Sequence, residues 1–384
     1  MAPPTSGDTS ARSQCLILIL DEVTIASFAR RHPALRWVVP TTILAIAATS
    51  TVAVFSLSRS DDRLPEATAD SLVRGIEAAR DTGFSGTVLA QTSLDLPVSA
   101  AASGSHSPTL LEAGSHTMRY WYGGAQRQRV ALLAATSETD VFHSGRDVWQ
   151  WDSQTRVATH SLLAPAATAA IGAPISPAPL TLATLTPQQL TERTLAAIDE
   201  QTEIISRLGP QIADRPTYEL ILRPADDAQT RIGAVHIDVD AARNVPLGVQ
   251  VYARGLLQPS IDVAFTSVTY KMPAADYFAF TPPAGATVLR GPQQQIVAAA
   301  PGAAVAQAAI GDTGWAAITE YRAVGGPSAV VPRDMQSTMS TVSGDWGSGA
   351  LLDTPLLCLL VTADGRVLAG SVEPAVLYAA AAHS

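Results

Sequence analysis

Apolar residues fall along this chain in several distinct rhythms. Residues 37–57, "WVVPTTILAIAATSTVAVFSL", form an apolar run without a charge. Residues 66–81, "EATADSLVRGIEAARD", carry apolar side chains at 67, 72, 73, 76, 78 and 79. That spacing predicts an amphipathic helix ended by Asp81 and Gly83. Alternation of period two then takes over in "SGTVLAQT" (85–92), "HTMRYWYG" (116–123), "QRVALLA" (128–134), "TDVFHS" (139–144), "DVWQW" (147–151) and "RVATHSLL" (156–163). The breaks between the later runs, "GGAQ", "ATSE", "SGR" and "DSQT", are turn-like, so these runs predict an antiparallel meander.

Residues 164–185 are rich in Ala and Pro and have no period, which reads as a long loop, either a lid or a tether. Thr186 is a plausible N-cap and Pro187 a plausible first residue of a helix running to about 199. A second set of strands follows in "TEIISR" (202–207), "TYELILR" (217–223), "IGAVHIDVD" (232–240), "PLGVQVYAR" (246–254) and "SIDVAFTSVTY" (260–270). "FAFTPPAGATV" (278–288) closes it. Residues 291–308 read as a low-complexity linker. Residues 309–384 read as a small α+β module: "TGWAAITEY", a Gly/Ser/Met-rich stretch to about 350, a hairpin around "LLCLLVTADGRVLAG", and a short helix. About eleven strands with only one helix before them and one between exclude a doubly wound fold. The expected class is α+β: an unclosed antiparallel half-barrel over 64–290 with covering helices, preceded by a transmembrane helix and followed by the small module.

Strand periodicity also sorts side chains onto faces. Met118, Tyr120 and Tyr122 share a face of their strand, as do Trp149 and Trp151, and as do Tyr218, Leu220 and Leu222. A curved sheet with an apolar concave face under a helix forms a pocket. We therefore expect Met118, Tyr120, Tyr122, Trp149, Trp151, Leu220 and Leu222 to line a lipid cavity on the concave side. Ordinary core packing is the competing reading.

The apolar run at 37–57 changes this picture. At 1.5 Å per residue it can cross the roughly 30 Å hydrocarbon layer. Arg30, Arg31 and Arg36 precede it, whereas Arg59 and Arg63 behind it are offset by Asp61 and Asp62. The excess of arginine predicts a cytoplasmic N-terminus, a single-pass anchor at 37–58 and an extracytoplasmic main domain. The competing reading is a cleaved signal peptide with "TVA" (51–53) as the cleavage site and a secreted product. Residues 1–36 are expected to be a disordered tail; "CLILIL" is too short to span, and the true start of translation could lie near Val23.

Mean hydropathy is +0.18 and net charge −9, with no concentrated basic face, which excludes a nucleic-acid role. Lys271 is the single lysine, and much Ala and Arg suggests a GC-rich bacterial genome. Cys15 and Cys358 fall on opposite sides of the expected anchor, so they should not pair; Cys358 reads as an inert buried thiol.

The candidate chemistry is thin. None of the seven histidines forms a metal-binding spacing, although His143 and His160 could approach each other. No nucleophile elbow or phosphate loop is present; "GDWGSG" (344–349) lacks the lysine and the preceding strand. Asp226 and Asp227 read as a solvated turn. We therefore expect no enzyme, no catalytic residues, no metal and no cofactor.

The order of segments resembles a known family. It runs from the anchor through a helix, "FSGTVLAQT", "GSHTMRYWYGGAQRQRVALL", "DVFHSGRDVWQWDSQT", a "TPQQL" helix and "DRPTYELILRP", to "RIGAVHIDVDAARNVPLGVQVYARG" and a closing F-x-F-x-P-P-x-G. Over about 64–290 it is similar to the LolA/LolB/LppX-type lipoprotein-carrier superfamily in its membrane-anchored actinobacterial form. That group is related to the RseB/MucB sigma-factor regulators and to sporulation-associated proteins. The resemblance implies a half-barrel whose concave face takes acyl chains of lipoproteins or lipids. The expected function is a tethered extracytoplasmic carrier of lipid or lipoprotein acyl groups. The alternative is a regulator that senses envelope state and binds an anti-sigma factor. Expected partners are acyl chains, the membrane, and either an ABC transporter or an anti-sigma factor. The best-known carriers shuttle between two membranes, and a tether fits local handover or sensing better.

Overall fold

The computed structural model describes residues 64–94, 113–162, 186–290, 304–310, 314–324 and 339–383. The expected tail and anchor at 1–58, Cys15, the loop 164–185 and most of the expected linker lie outside the described residues. No helix among the described residues is long and apolar enough to cross a membrane.

The chain is mostly β. Its first helix, α1 (Ala69–Ala78), is capped by the Thr68 side chain, which accepts from the Ser71 amide, and buries Leu72 and Ile76. Next come β1 (Phe84–Thr92), β2 (Gly114–Tyr122), β3 (Arg127–Leu133), β4 (Glu138–Ser144), β5 (Asp147–Asp152) and β6 (Val157–Leu162). Helix α2 (Pro187–Ala196) starts at Thr186, which caps the Gln189 amide, with Pro187 in its first turn, where a missing N–H leaves no bond unmade. The strands β7 (Glu203–Leu208), β8 (Thr217–Arg223), β9 (Ile232–Asp240), β10 (Pro246–Ala253) and β11 (Ile261–Thr269) follow, and then β12 (Thr287–Arg290).

These twelve strands form one sheet in the order β12-β6-β5-β4-β3-β2-β1-β11-β10-β9-β8-β7. Two meanders, β2–β6 and β7–β11, are joined by β1, which pairs with β2 on one side and β11 on the other. The sheet ends at β12 and β7 and does not close. About eleven strands were expected; the additional one, β12, adds to β6 in parallel, an arrangement that antiparallel turn signals do not announce. A bulge interrupts the β1–β11 register between Thr87 and Val88. Beside it, Gly86 leaves room for the Phe265 ring, which a Cβ at that position would meet at 2.8 Å.

A six-stranded sheet follows, in the order β13-β14-β18-β17-β16-β15. Its strands are β13 (Ala304–Ile310), β14 (Ile318–Val324), β15 (Ser340–Gly344), β16 (Gly347–Asp353), β17 (Cys358–Thr362) and β18 (Arg366–Gly370), with helix α3 (Pro374–His383) after them. Its first strand starts within the stretch 291–308 expected as linker, and "GDWGSG" is the tight turn of the β15–β16 hairpin. One apolar cluster of this sheet, with Ile318, Leu351, Leu360 and Leu368, packs on Leu377 and Ala381 of α3. Cys358 is fully buried there, and burial pushes its thiol up to about 12. Side chains such as Leu352, Leu356, Val361 and Val367 instead join the core of the twelve-stranded sheet. Arg231, in the β8–β9 turn, ties the two sheets with ion pairs to Asp353 and Glu373, and its backbone N–H donates to the Ser371 carbonyl at 2.7 Å.

Candidate functional site

Register fixes which side chains share a face of the large sheet, because directly opposed residues point the same way. Met118, Tyr120 and Tyr122 on β2 oppose Val88, Gly86 and Phe84 on β1, and Leu132, Val130 and Gln128 on β3. On the other side of β1 the same face continues through Phe265 and Val263, Val249, and Ile237 to Leu220. Leu222 opposes Val235 and Ile204. The result is one apolar face running from β7 to β4. Met118, Tyr120, Tyr122, Leu220 and Leu222 all stand on it, and all are buried in a single core cluster.

Within that face Phe84 organises the aromatics: its ring stacks on Tyr122 at 5.1 Å and meets Tyr120 edge-on at 5.6 Å. Both phenols are committed. The Tyr122 hydroxyl donates to the Arg80 carbonyl at 2.6 Å, and the Tyr120 hydroxyl donates to Gln128 Oε1 at 3.2 Å. Burial holds both well above the usual tyrosine range.

Two helices cover this face in different ways. α1 sends Leu72 and Ile76 into the core. α2 lies against β10 and β11, and the side chains it buries are Pro187, Gln188, Leu190, Thr191 and Thr194. It meets the sheet through Leu190, which joins the core, and through a polar contact. Gln189 Nε2 donates to Gln128 Oε1 at 3.1 Å, while the buried Thr191 hydroxyl has no hydrogen-bond partner among the described residues. Glu192 sits beside Tyr120 and Tyr122, and burial raises its carboxyl pKa.

Trp149 and Trp151 are not on this face. Val141, opposite Val130, is also opposite Gln150, so the even-numbered residues of β5 point inward and the two tryptophans point outward. The expectation that they line the concave side with Tyr120 and Tyr122 is corrected: the tryptophans belong to a separate aromatic cluster on the outer face. There the Phe280 ring packs on Phe142, Trp149 and Trp151 at 4.8, 5.4 and 5.9 Å. Arg129 lies over the rings of Trp121 and Phe142 and donates to Asp140 at 2.9 Å. Phe280 belongs to a strap, residues 275–286, laid across the outer face. Phe278 is buried against Gly123, and Arg156 holds the Ala284 carbonyl at 2.6 Å. Phe278 and Phe280 escaped the sequence reading as packing residues, although the closing F-x-F-x-P-P-x-G was visible. His143 and His160 also part. His143 faces inward and contacts the Gly145 carbonyl; His160 faces outward, stacks on Trp149 at 4.3 Å and contacts Asp147.

The outer face of the other meander is polar. Glu219 pairs with Arg207 and, at 2.8 Å, with His236. Asp238 beside them is 4% exposed, and its Oδ1 has no hydrogen-bond partner among the described residues. Burial, with the neighbouring Glu219 and Asp262 carboxylates, pushes Asp238 up to about 7. Among the described residues no group of three or more His, Cys, Asp or Glu is placed to hold a metal ion.

Fold and site together define a class: a large unclosed sheet, antiparallel except at its β12 edge, with a continuous apolar face under two helices. Solved structures similar to this chain include one of the Pseudomonas aeruginosa MucA/MucB complex, at 14% identity and TM-score 0.43 over 82% of this chain and 97% of that one. A LolA superfamily protein from Nitrosomonas europaea is similar at 13% identity and TM-score 0.22, over 56% of this chain and 99% of that one. An uncharacterized conserved protein from Thermus thermophilus is similar at 12% identity and TM-score 0.35, over 58% and 99%. No protein-family model and no curated protein matches the chain.

Proposed function

We propose that the chain is a membrane-tethered extracytoplasmic protein that takes up a lipid or lipoprotein acyl chain between the apolar face of its large sheet and helix α2. The observation that carries this reading is the mismatch between those two surfaces. The sheet presents Met118, Val249, Val263, Phe265 and Leu220, whereas α2 answers with one core leucine, Leu190, and with Gln188, Thr191 and Thr194 among its other buried side chains. Burying a methylene is worth about 0.8 kcal/mol, so a sixteen-carbon chain grosses roughly 12 kcal/mol before ordering costs. That exceeds what holds α2 through the Gln189–Gln128 hydrogen bond, about 1 kcal/mol, and the burial of Leu190, about 2 kcal/mol. The resemblance of residues 64–290 to lipoprotein carriers supports the same ligand class. The charge-free run at 37–57 supports a tether, with the N-terminus in the cytoplasm; cleavage of that run would give a secreted form. A tether favours local handover of lipid, with an ABC transporter as a fitting donor. The regulator reading, with an anti-sigma factor as partner, would use the same surface as a sensor.

The test is photo-crosslinking of the full chain in its membrane with a palmitate carrying a diazirine near the end of its acyl chain. Cross-linked peptides should map to β2 and β8. Cross-links confined to residues 37–57, or absent from the sheet, would sink the reading. Onward transfer of labelled palmitate to acceptor vesicles separates a carrier from a sensor.

A further inference from the structure

We propose that two copies of this chain join edge to edge through β7, antiparallel, so that their large sheets run on as one. This contact is independent of acyl uptake.

β7 is the last strand of the twelve-stranded sheet, and among the described residues it pairs with β8 alone. The register decides which of its backbone groups are left over. Leu208 opposes Tyr218, and one step further the Gly209 N–H donates to the Thr217 carbonyl at 3.0 Å. In an antiparallel ladder, hydrogen-bonded pairs alternate with pairs that are not. The N–H and C=O groups of Glu203, Ile205 and Arg207 therefore point to β8, and those of Ile204, Ser206 and Leu208 point away from the sheet. Such an edge is a template for a further strand unless something blunts it. β7 has neither a proline nor a bulge, whereas β12, at the other end of the sheet, is four residues long.

The side chains say which strand fits. Glu203, Ile205 and Arg207 stand on the outer face, opposite Arg223, Ile221 and Glu219 of β8. Glu203 pairs with Arg223 at 3.3 Å, and Arg207 pairs with Glu219. The side chains of Glu203 and Arg207 remain 60% and 59% exposed, so each has a side open to a second neighbour. The outward backbone groups belong to even-numbered residues, so an added antiparallel copy must match even with even. One such register sets Ile205 against the partner's Ile205 and Glu203 against the partner's Arg207. Ile204 then exchanges backbone bonds with the partner's Ser206, and Ser206 with the partner's Ile204, about four bonds in all.

That register is self-complementary. The central row reads Ile221, Ile205, the partner's Ile205, the partner's Ile221. The rows flanking it, equal by the two-fold axis, read Arg223, Glu203, the partner's Arg207, the partner's Glu219, with the sign of charge alternating throughout. A slip of two residues sets a charge against Ile205, and a slip of four sets like charges together, which is unfavourable across strands.

The experiment uses the full chain with Cys15→Ser in detergent micelles; Cys358 is buried. In the proposed register the Ile205 pair is not hydrogen-bonded, so its Cα atoms lie about 4.5 Å apart, within reach of a disulfide. Mild oxidation should turn Ile205→Cys into a covalent dimer. Leu257→Cys, in the exposed β10–β11 turn, should stay monomeric. Without a cross-link, sedimentation should show dimerisation weakened about tenfold by Arg207→Glu and by Glu203→Arg. Mixing those two variants should restore it, because the mixed pair again sets opposite charges together in both flanking rows. The proposal is overturned by the absence of a covalent dimer at Ile205→Cys, by equal cross-linking at Leu257→Cys, or by a mixture that stays monomeric. Dimers that survive both single charge reversals unchanged are joined elsewhere and overturn it too. So does a monomer in which the Ile204 and Ser206 amides resist hydrogen exchange, since a segment of the same chain then covers the edge.

Discussion

Asp238 is the residue at which burial and charge conflict most directly. Its carboxyl lies on the outer face of β9, with Glu219 on β8, Asp262 on β11 and the Arg207 cation on β7 as its charged neighbours. It is pushed up to about 7, whereas in the unfolded chain it titrates near the ordinary 3.8. The folded state therefore holds the proton more tightly. Its contribution to stability is fully present below pH 4 and is lost as pH rises through about 7. Three pH units correspond to an upper limit of about 4 kcal/mol. Asp238→Asn should thus be more stable than the parent at pH 8 and no more stable at pH 4, measured by urea unfolding. Equal shifts at both pH values would show that the carboxyl is not desolvated. Trp149 makes a second case. Its ring contacts Phe280 and His160 on the outer face, away from Tyr120. Trp149→Ala should lower the melting temperature and leave acyl uptake per folded molecule unchanged. A double-mutant cycle with Phe280→Ala should return a coupling of about 0.5–1.5 kcal/mol. Loss of uptake in Trp149→Ala would place the ligand on the wrong face of the sheet.

At the scale of elements, strand periodicity in the sequence was enough to pair Tyr120 with Tyr122 and Trp149 with Trp151. It could not say whether the two pairs share a face, because that depends on every turn between them. Tyr120 opposes Val130, Val130 opposes Val141, and Val141 opposes Gln150. One residue more or fewer in the β3–β4 turn would have turned the tryptophans inward. Caps were legible for the opposite reason: Thr186 and Pro187 act on the next few residues, and α2 starts where they stand. What the sequence hid about α2 was its buried face, since Gln188, Thr191 and Thr194 look like solvated positions until the helix is laid on β10 and β11. This gives a prediction for the element. Thr191 buries a hydroxyl with no partner among the described residues, so Thr191→Val should stabilise the protein by about 1 kcal/mol. If acyl chains enter by displacing α2, the same change should slow their uptake, read by stopped-flow with a fluorescent fatty acid. A faster or unchanged rate would mean that α2 is not the element that moves.

For the whole molecule the question is whether the six-stranded sheet is an appendage or part of one folding unit. Its composition suggested a separate small module, because a linker-like stretch precedes it and nothing in the resemblance covers it. The contacts argue for shared stability. Leu352, Leu356, Val361 and Val367 lie in the same apolar cluster as Leu222 and Val235. Trp315 donates to the Thr202 hydroxyl at 2.9 Å, at the turn between α2 and β7. Arg231 is the polar centre of this contact. It is nearly buried, whereas its partners Asp353 and Glu373 are half-exposed. Removing the arginine therefore strands no buried carboxylate, and the cost should be moderate, about 1–3 kcal/mol. The informative readout is where that cost is felt. In Arg231→Met, hydrogen exchange should accelerate together in β17, β18 and the start of β9, which flank the contact. The distant hairpin of β4 and β5 should keep its protection. Acceleration confined to residues 304–383 would mean that the small sheet unfolds on its own and lends the half-barrel nothing. Joint acceleration would make the small sheet a wall for the β8–β9 end of the apolar face, so an acyl chain there would lie between two sheets as well as beneath a helix.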